Sequence, residues 1–268
     1  MLPEIFLQPF MQRAFLAALV AGFLLPFVGC FIVPKKLSLL GDSSSHFVLA
    51  SLALGALFGV SGVLAAYVAV VVGVFAALRL VRGLGLSGDQ VLAILLSFSA
   101  AMASLAISRG ARVSLGSVLF GSLLAVQVED IVAGLLVAVF AFVFVVRNFG
   151  RVLLYTVSEE LARIRGVNVS LYEVLFALVT GLAVAVSVRI VGVLLVTALI
   201  VVPVMAVGLL VSSMRRAILF SVVFGEASLL AGVVLSYLLD IAPGAATVFI
   251  LIAVFAVSLL LSRSGLRV

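Results

Sequence analysis

Residues 191–211 read VGVLLVTALIVVPVMAVGLLV, 21 positions without a charged side chain. A helix of that length and polarity covers the hydrocarbon thickness of a bilayer. An isolated strand cannot, because its backbone N–H and C=O groups would stay unpaired in lipid. Eight further stretches are predominantly apolar over a similar length: 13–33, 43–60, 62–80, 89–108, 128–147, 170–188, 217–239 and 245–262. The period-two alternation of a membrane barrel is absent from all of them. The sequence therefore predicts an all-α, polytopic integral membrane protein with about nine transmembrane helices, within a range of eight to ten. Pro26 and Pro203 fall inside spans and predict kinks. Ser114–Ala125 is apolar but short, and reads as a re-entrant or surface helix between the fourth and fifth spans.

Composition points the same way. Of 268 residues, 66% are apolar and 10% charged, whereas a soluble domain is about half apolar and a quarter charged. That excludes an ordinary cytosolic enzyme and a disordered chain. The spans leave almost nothing for an extramembrane domain, so residues 1–268 read as one transmembrane domain. The net charge of +6 belongs to loop Lys and Arg that set orientation rather than to a nucleic-acid partner. With 148–169 placed in the cytoplasm, the cytoplasmic side holds twelve cations: Lys35, Lys36, Arg79, Arg82, Arg147, Arg151, Arg163, Arg165, Arg215, Arg216, Arg263 and Arg267. The outer side holds Arg13, Arg109, Arg112 and Arg189. The N-terminus is then outside, with residues 1–12 a short outer segment suited to an interfacial helix, and the C-terminus inside. The first span shows no cleavage site of a signal peptide. The lone cysteine, Cys30, lies in an apolar run and reads as a small buried residue.

Few residues remain that could carry chemistry. Gly41-Asp42-Ser43-Ser44-Ser45-His46 opens the second span and holds the only histidine. A spacing of four puts Asp42 and His46 on one helical face. A carboxylate and an imidazole form half of a first-row metal site, which a second copy of the chain would complete across a pore. The same residues admit a second reading, with Asp42 an N-cap for the N–H groups of Ser44 or Ser45 and His46 a buried hydrogen-bonded residue. Ser158-Glu159-Glu160-Leu161-Ala162-Arg163-Ile164-Arg165-Gly166 reads as a short capped helix in the 148–169 loop. Ser158 is its N-cap, both Glu sit in its first turn, both Arg in its last, and Gly166 stands at C′. Such a helix suits a docking peg or a solvated connector.

Three features need weighing. Gly55 and Gly59 form a G-x-x-x-G that permits close helix packing. Glu226, near the middle of the eighth span, must face the bundle interior or water. It suits either a hydrogen bond to a Ser, a Thr or Arg189, or a transport role. Gly83-x-Gly85-x-x-Gly88 matches a dinucleotide-binding pattern, but it joins two spans instead of a strand and a helix, and reads as a cytoplasmic turn. No G-x-x-x-x-G-K-[ST] phosphate loop occurs in the sequence.

From about Phe10 to Leu261 the chain resembles the permease subunits of the ABC importers for zinc, manganese and iron. The most specific match is Lys35-Lys36-Leu37-Ser38-Leu39-Leu40-Gly41-Asp42-Ser43-Ser44-Ser45-His46, similar to that family's basic–apolar–Gly-Asp-x-x-x-His segment. Phe120–Val126 followed by Glu129-Asp130 is a second match, and Glu160-x-Ala162-x-x-x-Gly166-Val167 resembles the family's coupling helix. Val191–Pro203 and Ser236-Tyr237 with Asp240, Pro243 and Gly244 complete the set. The resemblance implies an ABC importer permease architecture over 1–268. It implies metal contact by Asp42 and His46, and ATPase coupling through Ser158, Glu159, Glu160, Ala162, Arg163, Arg165 and Gly166. It further implies a homodimer, two cytoplasmic ATPase subunits that use the ATP, and an extracytoplasmic metal-binding protein. The chain itself would be no enzyme and would hold no permanent cofactor. It would sit in the cytoplasmic (inner) membrane of a prokaryote. The three serines between Asp42 and His46 depart from the family's small residues, and Glu226 has no counterpart.

Three other readings compete. A siderophore, haem or cobalamin permease would need a wider pathway and no Asp–His pair, and such chains are usually longer. A gradient-driven transporter would act without an ATPase and often shows inverted repeats, which this sequence lacks. A membrane-embedded enzyme would have one histidine and few acids to work with.

Overall fold

A computed structural model describes residues 9–112, 121 and 126–264. No strand occurs among them. The helices are α1 (Pro9–Ile32), α2 (Leu40–Phe58), α3 (Gly62–Leu84), α4 (Gly88–Ser108), α5 (Val128–Arg147), α6 (Phe149–Val157), α7 (Glu159–Ile164), α8 (Val169–Val191), α9 (Val193–Gly208), α10 (Met214–Leu239) and α11 (Pro243–Arg263). A 3-10 turn, Val33–Lys35, extends α1. Seven of these helices are long and apolar enough to cross a membrane: extended α1, α3, α4, α5, α8, α10 and α11. The expected short helix at Ser114–Ala125 lies outside the described residues except for Gly121, and of the expected interfacial segment 1–12 only residues 9–12 are described, where they already belong to α1.

The other two long helices fall short of the expectation, each for a visible reason. α9 has 16 residues, roughly 24 Å at about 1.5 Å each, against a hydrocarbon core of about 30 Å. Gly192, with φ +83°, ends α8 and starts α9 within one residue. The helix thus begins two residues later than the apolar run does, and it closes at Gly208, three residues before the run ends. α2 has 19 residues, but Gly41, Asp42 and three serines occupy its first two turns. The helices run unbroken through Pro26 and Pro203. The loop from 148 holds one helix more than expected. In α6, Val152, Tyr155 and Thr156 are buried while Arg151 is exposed, so amphipathicity drives it.

The chain forms two compact units. The first is Met1–Cys30, Gly116–Ala138 and Val186–Val268; the second is Phe31–Leu115 and Val139–Ala185. In the first unit glycines set how closely helices meet. A Cβ on Gly29 would run into the Ile200 carbonyl oxygen, and one on Gly225 would run into the Pro26 ring. Lipid gives helices no hydrophobic reason to associate, so this backbone contact and its van der Waals energy carry the packing. Gly29→Ala should therefore force α1 away from α9 and cost about 1–3 kcal/mol. The check is the thermal midpoint of the detergent-purified chain, which should fall clearly below wild type.

In the second unit α2, α3 and α4 pack as consecutive antiparallel helices. Gly55 meets the backbone of Gly62 across the first turn, where a Cβ would be 2.5 Å from Gly62 Cα. Gly59 was expected on the same packing face, but it occupies the left-handed C-cap at φ +67° with open space where its Cβ would be. Its task is to reverse the chain, and only Gly55 packs. The Gly83–Gly88 segment is a helix-to-helix turn, with Gly85 left-handed at φ +63° and Ser87 forming a capping box with Gln90. No strand precedes it, as the sequence implied.

Candidate functional site

α2 begins at Leu40, with Leu39 at the N-cap position making no side-chain bond. Asp42 is therefore inside the first turn, and the capping reading of its carboxylate does not hold. There the positive end of the helix favours its charge. Asp42 has no hydrogen bond or ion pair among the described residues. His46 stands one turn on, half-buried, and its Nδ1 is buried with no hydrogen-bond partner. The hydrogen-bonded histidine of the second reading is thus not found at that nitrogen. Ser43, Ser44 and Ser45 are all buried. The Ser45 hydroxyl donates to the Gly41 carbonyl at 2.7 Å, which ties it to the helix. Two such ligands are half of a four-coordinate site, and no group of three or more His, Cys, Asp or Glu occurs among the described residues.

α7 has the ends its sequence implies. Ser158 Oγ accepts from the Leu161 N–H at 3.3 Å. At the other end Gly166, at φ +74°, donates to the Arg163 carbonyl, and Val167 donates to the Ala162 carbonyl. That is the pair of bonds of a Schellman stop. Ala162 faces inward and is fully buried, while Glu160, Leu161, Arg163, Ile164 and Arg165 are exposed.

Glu159 behaves unlike its neighbour. Its Oε1 takes a bond from Lys35 Nζ at 3.1 Å, and its Oε2 is 2.9 Å from Arg82 Nη2. Arg82 Nη1 donates to Glu173 Oε2 at 2.7 Å, and Arg79 Nε approaches the same oxygen at 3.4 Å. The Glu173 side chain has no exposed surface. Lys35 Nζ also sits 3.8 Å above the Tyr155 ring. Burial works to raise the Glu159 carboxyl pKa, but the Lys35 and Arg82 charges and bonds outweigh it and hold the group below its ordinary range. Burial, then the Glu159 and Glu173 charges, push the Tyr155 phenol above its own. These contacts gather the turn after α1, the end of α3, the start of α8 and the 148–168 loop at one end of the unit. The positive-inside count puts all four on one side of the membrane. Sequence reasoning counted Arg79 and Arg82 for orientation alone, used Lys35 for orientation and as the start of the family-like segment, and passed over Glu173. The signal was present, since an acid inside an apolar stretch needs a partner.

In the first unit Glu226 is half-buried, with its Cα and Cγ against Gly22. The expectation that Arg189 pairs with it is overturned. Arg189 Nη2 lies 2.9 Å from Asp130 Oδ1, and that carboxylate is nearly buried. No serine or threonine bonds Glu226 among the described residues either. A half-buried cation at a helix end is better neutralised by an acid at its own end of the helices than by one at mid-span.

The family described as "ABC 3 transport family" matches residues 7–262. The manganese transport system membrane protein MntC of Halalkalibacterium halodurans is 28% identical over 94% of this chain and 87% of its own length. The high-affinity zinc uptake system membrane protein ZnuB of Haemophilus influenzae is 27% identical over 92% of this chain and 95% of its own. Among solved structures, PsaBC from Streptococcus pneumoniae in complex with Fab contains a chain with a TM-score of 0.83 at 28% identity, covering 96% of this chain and 95% of that one.

Proposed function

This chain belongs to the ABC 3 transport family, and from that premise we propose that it carries a divalent transition metal, zinc, manganese or ferrous iron, into the cell. It is the permease subunit of an ABC transporter, and the relatives named above are membrane proteins of manganese and zinc systems. Two copies would form one pathway with two separate ATPase subunits beneath, which use the ATP. An extracytoplasmic binding protein would deliver the ion. The setting is the cytoplasmic membrane of a prokaryote.

The observation that carries the metal assignment is the half-site on α2. Asp42 and His46 share one face, neither is engaged by another side chain among the described residues, and the buried imidazole Nδ1 has no hydrogen-bond partner there. A second copy supplies the matching pair, giving two carboxylates and two imidazoles, a set that suits a first-row divalent ion. A site split between copies can open when they separate, so the ion is bound and still able to leave. Glu226 stands apart from this set as a polar site within α10 whose partner the family pattern does not supply.

The test is uptake of zinc, manganese and ferrous iron into vesicles holding this chain with its ATPase and binding protein. ATP-dependent accumulation of one ion is the expected result. ATP hydrolysis with no metal accumulation would move the cargo to a larger chelate.

A further inference from the structure

Where the outer face of α7 is read as the ATPase dock, its inner face carries a charge cluster that such docking leaves unused. Arg82 is the centre of it. Its Nε and Nη2 hold Glu159 of α7, at 3.1 and 2.9 Å, and its Nη1 holds the buried Glu173 of α8 at 2.7 Å. Lys35 holds the other oxygen of Glu159. Buried ion pairs contribute little net stability, yet they fix geometry, and losing one partner strands a charge. A guanidinium fork holds two carboxylates at set angles, which a lysine cannot do.

From Lys35 the chain reaches Asp42 without slack. Lys36 takes the left-handed conformation at φ +58° and donates to the Val33 carbonyl at 2.9 Å. Leu37 is buried and donates to Ile32, Leu40 donates to Leu37, and Ser43 donates to Leu39. The first residue of α4 blocks this connector from the side, where a Cβ on Gly88 would stand 2.6 Å from the Lys36 carbonyl oxygen. A lock on Lys35 is therefore a lock on the first turns of α2.

We propose that Arg82 and Lys35 are positioning residues for transport: through Glu159 they tie α7 to the start of α2, so that an ATPase moving α7 also moves Asp42 and His46. This rests on the reading of α7 as the ATPase dock. It goes beyond that reading in naming the route by which the movement arrives.

The test places a reporter thiol on the connector and asks whether nucleotide reaches it. Leu39→Cys, at an exposed position, is made in a Cys30→Ala background and assembled with the ATPase. Its maleimide labelling rate is then measured with and without ATP and vanadate. The wild-type network should change the rate several-fold on trapping. With Arg82→Gln or Lys35→Gln the ATPase should still co-purify and hydrolyse ATP, but trapping should leave the labelling rate flat. Arg82→Lys should restore only part of the response. If Arg82→Gln fails to assemble, Lys35→Gln, which leaves the Arg82–Glu173 bond in place, decides alone. A full response in an assembled variant, or none in the wild-type network, overturns the proposal. Failure of the docking reading would show separately, as an ATPase that does not co-purify with the unaltered chain. A response without metal uptake would remove the metal cargo and leave this inference standing.

Discussion

Vesicles carrying His46→Ala, with ATPase and binding protein assembled as for wild type, will take up almost no metal. Removing a group that merely orients a metal ligand weakens binding roughly 10- to 100-fold, and a ligand itself matters at least as much. In a homodimer one substitution removes two of four ligands, so the effect compounds to about 10²–10⁴ in affinity at the pathway site. Asp42→Ala should do the same, while Asp42→Asn keeps an oxygen ligand without the charge and should retain a measurable fraction of uptake. Neither substitution should disturb assembly. Among the described residues the His46 Nδ1 makes no hydrogen bond, and Asp42 holds neither a cap nor an ion pair. Uptake is read with radioactive or fluorescent-indicator metal, and assembly by co-purification of the ATPase. Undiminished uptake by both alanine variants would sink the site.

The positions of the spans were legible because hydropathy answers a single question, whether a segment can leave water. It located every long helix, and caps such as Ser158 and Gly166 located the short one. It missed the short amphipathic α6, and the ion pairs it missed depended on pairing between segments far apart in the chain. Arg82 meets Glu159 and Glu173 across 77 and 91 residues, and no local pattern encodes such a meeting. For the same reason Arg189 was offered as one partner for Glu226, whereas it pairs with Asp130. Gly59 was misread because a G-x-x-x-G spacing describes a helix face only while the helix continues, and α2 stops there. α9 came out shorter than its apolar run because Gly192 and Gly208 punctuate it, and composition averages over punctuation. The Asp42–His46 pair was visible from spacing. Its freedom from capping was not, since that depends on whether the helix starts at Leu40 or three residues later.

The second large effect is expected at α7. Leu161 and Ile164 stand three residues apart on one face of that helix, 51% and 79% exposed, in a loop that also presents Glu160, Arg163 and Arg165 to water. Exposed apolar side chains among solvated charges mark a surface that another protein covers. With α7 read as the ATPase dock, they are the centre of the contact and the charges are its rim. Central apolar anchors cost about 2 kcal/mol or more each when lost, a factor of roughly 30 in affinity. Leu161→Asp with Ile164→Asp adds unpaired carboxylates at the same place, on both copies of the dimer. The ATPase should no longer co-purify, and uptake should stop with it. Reversing the rim, by Glu160→Lys or Arg163→Glu, should be milder, about 1 kcal/mol or less, and should fade as salt is raised. The two sets separate because the caps, Ala162 and the inward Glu159 are untouched in every variant, so α7 stays folded on its clamp. An ATPase that binds the double-aspartate chain as tightly as wild type would mean that the dock lies elsewhere on the cytoplasmic face.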